Sequence, residues 1–272
     1  MKKTFLYLSI VLSCMTVSCK KDFNPFFSLD QERQLGLQIA DEIAANPTEY
    51  PILDSSSNVA AYKYVWDIMN TVLNSKEVNH KNDFKWRVTI INKDVLNAFA
   101  APGGQLYFYT GFLKYATSEA EFAGVMAHEI AHSDRRHSTE SMTKQQGIAF
   151  LLDIVAGKNA SGLTQIVSSI AQTGAALQFS RKHEYEADEY SVRYLVSIAN
   201  ANRTYDPTAI VDFFDQMKAD SLSQPNGKFE FLRTHPYDDN RKENIMKVWQ
   251  KLGSPAGQKY ESQYAQFKAL LP

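Results

Sequence analysis

Past residue 27, apolar residues recur at helical spacing. The segment 28–44 has apolar residues at Leu35, Leu37, Ile39, Ala40 and Ile43, and Ser28 with Gln31 has the capping-box pattern at its start. Val59, Tyr62, Val65, Trp66, Ile68, Met69 and Val72 give 58–74 the same period, so both segments are expected as helices. The period then shortens. Residues 84–91 (FKWRVTII) alternate and run apolar, as a strand does, and 97–109 (NAFAAPGGQLYFY) reads as strand, glycine turn, strand. From Ser118 the helical period returns, with Ser118 and Glu121 as a second capping pair. Helices are expected over 180–197, over 207–221 after an Asp206-Pro207 start, and over 238–252. The Ala-, Ile- and Leu-rich 147–179 is broken at 158–162 and carries Asp153, which argues against a membrane span. No repeat appears, and no linker inside 28–272 is long enough to divide it. These elements predict one α+β domain over 28–272, mostly α, with a small sheet in its first half.

Charge changes this picture little. The 272 residues carry 29 Lys+Arg against 30 Asp+Glu, a formal net charge of -1, so nothing draws the chain toward nucleic acid. A hydrophobic fraction of 44% excludes a disordered chain. The cysteines matter more, because both lie in the first nineteen residues. Met1-Lys2-Lys3 precedes the apolar run 4–15, which is too short to span a bilayer as a helix. The following Thr16-Val17-Ser18-Cys19 looks like a lipoprotein signal. It predicts a signal peptide over 1–18, lipidation of Cys19 with Cys14 as the rival acceptor, and a lipidated tether over 19–27. The mature chain would then have no disulfide framework.

The candidate chemistry is concentrated in His128-Glu129-Ile130-Ala131-His132. Histidines four apart on a helix lie about 40° apart around its axis, one turn up, so both rings can reach one ion. Glu129 sits beside the first of them, where its carboxylate can take a proton from a water acidified by the metal. The surrounding Ala120, Phe122, Ala123, Val125, Met126 and Ala127 mark a buried helix. Burying two histidines and a glutamate there is costly unless they are paired or coordinated. A third ligand is needed from elsewhere, and the best candidate is Glu184. Glu184 and Asp188 share a helical face, so one can bind the metal while the other orients a ligand histidine.

These residues together resemble metallopeptidase family forty-eight, the group of CAAX-prenyl, Oma-type, HtpX-type and BepA-like proteases. The resemblance is carried by H-E-x-x-H, by S-R-x-x-E-x-x-A-D over 180–188, by Asn97-Ala98-Phe99-Ala100-Ala101-Pro102-Gly103-Gly104, and by Thr234-His235-Pro236 with Arg241. It implies a zincin-like fold and one Zn²⁺ on His128, His132 and Glu184. It implies Glu129 as general base and Asp188 supporting a ligand. A substrate edge would run through Asn97, Ala98, Gly103 and Gly104. Arg241 would lie near the oxyanion or a supporting carboxylate. His235 would either fill the fourth metal position and hold the enzyme latent or stabilise the transition state.

The function expected is a zinc metalloendopeptidase acting on unfolded or misassembled polypeptides. It would be lipid-anchored in the cell envelope, on the periplasmic side of the outer membrane. The alternatives are a latent or inactive chaperone-like lipoprotein with His235 plugging the metal, and a metal-storage lipoprotein. His137 is expected to pack at a helix terminus, since the metzincin third-histidine position falls on Ser138. His183, His80 and Glu186 are expected to be solvated, and 147–179 to cover the cleft as a lid.

Overall fold

The computed structural model describes residues 27–198, 203–223 and 229–272. Cys14, Cys19, the signal peptide and all of the tether except Phe27 lie outside them. Phe27 itself is buried in the core, and its carbonyl accepts from Arg136 Nη2 at 2.5 Å. The folded unit therefore includes a residue that the sequence assigns to the tether.

Helices dominate, as the periodicity predicts. They are α1 Leu29–Ala44, α2 Val59–Leu73, α3 Thr110–Tyr115, α4 Glu119–Asp134, α5 His137–Gln146 and α6 Ile148–Val155. After them come α7 Ala160–Thr173, α8 Arg181–Val196, α9 Ala209–Ser223, α10 Glu230–Thr234, α11 Asp239–Lys251 and α12 Glu261–Lys268. The sheet has strands β1 Arg87–Ile91, β2 Ala98–Ala101 and β3 Gln105–Tyr109 in the order β1-β3-β2. β1 runs parallel to β3 and β2 antiparallel to it.

Ser28 caps α1 as its pattern requires: its Oγ accepts from Gln31 N, and its own N–H donates to Gln31 Oε1 at 2.8 Å. At Ser118 only half of the box forms, because Glu121 turns its carboxylate to Thr117. The expected first strand starts three residues late, since Phe84 N is tied in a turn to His80 O. Between β2 and β3, Gly103 adopts φ 71°, a left-handed conformation suited to glycine. The turn is pressed against α1 at Gly36, where a Cβ would stand 2.0 Å from Pro102 O.

All 16 residues of α4 are buried. It is the central pillar, packed by α8, α9, α2 and β2, and α11 closes over α8. Within 147–179 the α6–α7 pair packs on α1, while Phe179, at the segment's end, stacks on His132. Of the expected cover over the cleft, the end of the segment at Phe179 lies against His132, and the helices before it lie on α1. An apolar face of 151–170 finds its partner on α1, with Leu151, Ile154, Ile166 and Val167 buried. No helix among the described residues is long and apolar enough to cross a membrane.

Candidate metal centre

The buried helix α4 presents His128 and His132 on one face, with ring nitrogens Nε2 only 3.0 Å apart. Two nitrogens that close can reach one ion. α8 lies across α4 and delivers Glu184, with Oε2 3.5 Å from His128 Nε2 and Oε1 3.6 Å from His132 Nε2. α10 ends at His235, whose Nδ1 lies 3.4 Å from His128 Nε2 and 3.3 Å from Glu184 Oε1. The donor atoms of these four residues all lie within 4.8 Å of one another, and all four side chains are buried.

The donor set fits a metal ion. Oε1 of Glu184, both oxygens of Glu129 and Nε2 of His235 are buried without a hydrogen bond from the protein. Groups left so cost roughly 1–3 kcal/mol each unless something else satisfies them. A cation among three nitrogens and a carboxylate does so with a donor set that suits zinc and its neighbours.

The supporting groups are equally ordered. Arg241, next to the α11 cap at Asp238, grips Asp188 with two hydrogen bonds of 2.7 Å and forms a 2.7 Å ion pair with Glu184. Arg241 therefore sits on the carboxylates. Asp188 Oδ1 is 3.1 Å from Nδ1 of His128, on the side of the ring away from the cluster. Burial opposes charge on Glu184, yet Arg241, His235 and His128 hold its carboxyl well below the usual carboxylate range. Burial likewise opposes charge on Asp188, but Arg241 and His128 hold its carboxyl below the usual range. Burial and the neighbouring His128 push His132 well below its ordinary value, so its lone pair is available. Burial also pushes Glu129 up, with His235 and His128 pulling partly back. Its Oε1 lies 3.5 Å from His235 Nε2.

Aromatic rings wall the cluster. Phe179 stacks on His132 at 3.7 Å, and Phe231 on His235 at 4.4 Å. A cavity of about 350 Å³ opens beside them, walled by Phe179, Glu184, Tyr185, Pro236, Tyr237 and Arg241. A larger groove of about 770 Å³, lined by Ile52, Val59 and Trp66, shares no residue with the cluster.

Asn97 and Ala98 are buried at the start of β2. Tyr109 N–H donates to Asn97 O, so Asn97, Phe99 and Ala101 turn their main-chain groups to β3, and Ala98 and Ala100 turn theirs to the other edge. There Ser138 Oγ donates to Ala100 O at 2.7 Å. Gly103 and Gly104 lie at the far end of the strand, packed on α1 and on Trp86.

Three sequence expectations need correction. His183 is buried, stacked on His137 at 4.4 Å, because the first turn of α8 packs against α5. His80 is half-buried, 2.8 Å from Asp83. Glu186 is partly covered and held by Arg135 Nε at 3.1 Å. His137 is the first residue of α5, and its Nδ1 also meets His132 Nδ1 at 3.1 Å. Sequence reasoning did not reach that contact or Phe179.

The fold and this buried cluster have the arrangement of H-E-x-x-H metallopeptidase sites. Comparison with known proteins agrees. The model of peptidase family M48 matches residues 60–248, and the chain belongs to that family. It is 28% identical over 237 residues to the mitochondrial metalloendopeptidase OMA1 of Schizosaccharomyces pombe, covering 87% of this chain and 66% of that protein. It is 29% identical over 180 residues to the beta-barrel assembly-enhancing protease of Escherichia coli, covering 62% of this chain and 36% of that protein. With human OMA1 the figures are 29% over 188 residues, 63% and 34%. The chain spans from one third to two thirds of the lengths of these relatives.

Proposed function

We propose that this protein is a zinc-dependent metalloendopeptidase of the cell envelope, lipid-anchored through Cys19, that cleaves unfolded or misassembled polypeptides. The observation that carries the catalytic part is the convergence of His128, His132 and Glu184 within one buried cluster, with Glu129 beside it. The unsatisfied buried oxygens of Glu129 and Oε1 of Glu184, with the M48 membership, support a metal, and the donor set favours zinc. The lipid anchor rests on the sequence around Cys19, and the substrate class on the family resemblance and on main-chain pairing that tolerates many sequences.

When bound, the ion supplies a Lewis acid that polarises the peptide carbonyl and acidifies water. The chain's own residues do the rest. Glu129, with its carboxyl pushed up by burial, takes the proton of the attacking water and gives it to the leaving amine. Asp188 fixes the His128 ring from behind, and Arg241 keeps Asp188 and Glu184 charged and in place. An extended substrate pairs with the outer edge of β2 at Ala98, since main-chain pairing tolerates many sequences.

A second reading concerns regulation, and His235 favours it. Structural metal sites are closed, whereas catalytic ones keep a position open, and His235 stands with its Nδ1 in the donor set. Phe231 N–H donates to Leu96 O at 2.8 Å, so α10 is tied to the strand edge as well as to the metal site. Release of α10 would open the fourth position and uncover β2 together, which supports reading this conformation as latent.

The experiment is chelation and add-back. Stripping the metal should abolish casein cleavage, and one equivalent of zinc should restore it. Cleavage that persists in excess chelator with no bound metal would contradict the proposal.

A further inference from the structure

We infer that His137 is the positioning residue of the metal donor His132: its bare Nδ1 accepts the His132 Nδ1–H, fixing which nitrogen of His132 faces the metal. The inference rests on reading the four-residue cluster as a metal centre.

The argument follows the protons. His132 points Nε2 into the cluster, 3.0 Å from His128 Nε2. A nitrogen that gives its lone pair to a metal cannot carry a proton, so in the neutral ring the proton is on Nδ1. Nδ1 of His132 lies 3.1 Å from Nδ1 of His137. Two N–H groups cannot face each other at that distance, so His137 must accept there and carry its own proton on Nε2. That nitrogen faces Glu186 Oε2 at 3.7 Å, beyond a hydrogen bond, so Glu186 favours this tautomer through its charge. Glu186 is itself held in place by Arg135, whose Nε lies 3.1 Å from its Oε1. Every link in the series therefore has one direction.

The backbone is built for this contact. Between α4 and α5 the chain reverses through Arg136 at φ 63°, a left-handed conformation uncommon for a residue with a side chain. Arg136 is held there by Glu32 of α1 at 2.6 Å and by Phe27 O at 2.5 Å. The reversal brings His137 back beneath His132, five residues earlier. His183 then lies flat on the His137 ring, at 4.4 Å and 10° between planes, and fixes its tilt. The two histidines of H-E-x-x-H are thus supported unequally. His128 has the carboxylate Asp188 behind it directly, and His132 has an imidazole with a carboxylate behind that.

The test measures zinc affinity of the full-length chain by competition with a chromophoric chelator, and the visible spectrum of the cobalt-substituted protein. His137→Phe keeps a flat ring on His183 but removes the acceptor. It should lower zinc affinity about 10- to 100-fold and shift the cobalt bands, with little change in melting of the chelated protein. His137→Asn, whose Oδ1 stands where Nδ1 was, should recover most of the affinity. Affinity of His137→Phe within twofold of wild type, or equal losses in Phe and Asn, would overturn the inference, because packing alone would then explain the residue. Should His137→Phe fail to fold, Glu186→Gln decides the matter: a loss of about threefold or more supports the series, and unchanged affinity overturns it. A wild-type chain that binds no zinc would remove the metal reading and the inference with it.

Discussion

Replacing Arg241 with methionine removes one guanidinium and strands two buried carboxylates. The wild-type side chain makes two hydrogen bonds of 2.7 Å to Asp188 and an ion pair of 2.7 Å to Glu184, and all three residues are buried. Its positive charge is the chief influence holding both carboxyls below their usual range against burial. Breaking a buried pair from one side costs about 3–5 kcal/mol, because the remaining charge keeps its desolvation penalty. For a domain of this size roughly 2–4 °C of melting temperature corresponds to 1 kcal/mol. The chelated Arg241→Met protein should therefore melt about 6–20 °C below chelated wild type in a thermal scan. Arg241→Lys should recover only part, since lysine keeps the charge and loses the fork that grips Asp188. Added zinc should narrow the gap without closing it, because the ion neutralises Glu184 and does not reach Asp188. A chelated Arg241→Met protein melting within 2 °C of wild type would refute the assignment of Arg241 as the residue that holds the site's carboxylates.

Other outcomes follow from the same geometry. His235→Ala should raise basal casein cleavage, because it vacates the fourth donor position; equal or lower cleavage would instead favour a role for His235 in transition-state stabilisation. Glu186→Gln should lower the melting temperature of the chelated protein at pH 7. Its carboxyl is depressed from 4.5 to about 2, chiefly by His137, so its stabilisation is present above pH 4.5 and fades as pH falls toward 2. The gap to wild type should shrink over that window, and a gap independent of pH would refute the linkage. Gly36→Ala should destabilise the chelated protein by about 1–3 kcal/mol, since its Cβ would meet Pro102 O at 2.0 Å and one of the two backbones must move; an unchanged melting temperature would show that this contact is loose.

Much of this could be read in the sequence, for definite physical reasons. α1, α2, α8 and α11 are amphipathic or carry cap residues at their ends, and these local signals leave periodic marks. His128, His132, Glu184 and Asp188 are legible because i, i+4 spacing is a helical property and the chemistry needs two such pairs. His235 and Arg241 carry no local mark and came only through a resemblance over the whole chain. What stayed hidden depends on which distant segments meet. His183 reads as surface because its neighbours Lys182 and Arg181 are exposed, and only the docking of α8 on α5 buries it. The apolar 147–179 marks a segment that must be covered, but not that α1 covers it. The reversal at Arg136 is invisible because the left-handed position is usually marked by glycine or asparagine, and here a buried ion pair with Glu32 replaces that mark. The contact of His137 with His132 depends on that reversal and was missed with it.

The central claim is that Glu129, beside a metal held by His128, His132 and Glu184, performs peptide hydrolysis. Its most direct test is casein degradation by the purified full-length chain beside Glu129→Gln, with bound zinc measured in both. The account predicts about one zinc in each protein, cleavage by the wild type, and cleavage lower by about 10²–10⁴-fold in the variant. Equal cleavage by two zinc-loaded proteins would contradict it, and so would a wild type that cleaves casein without zinc.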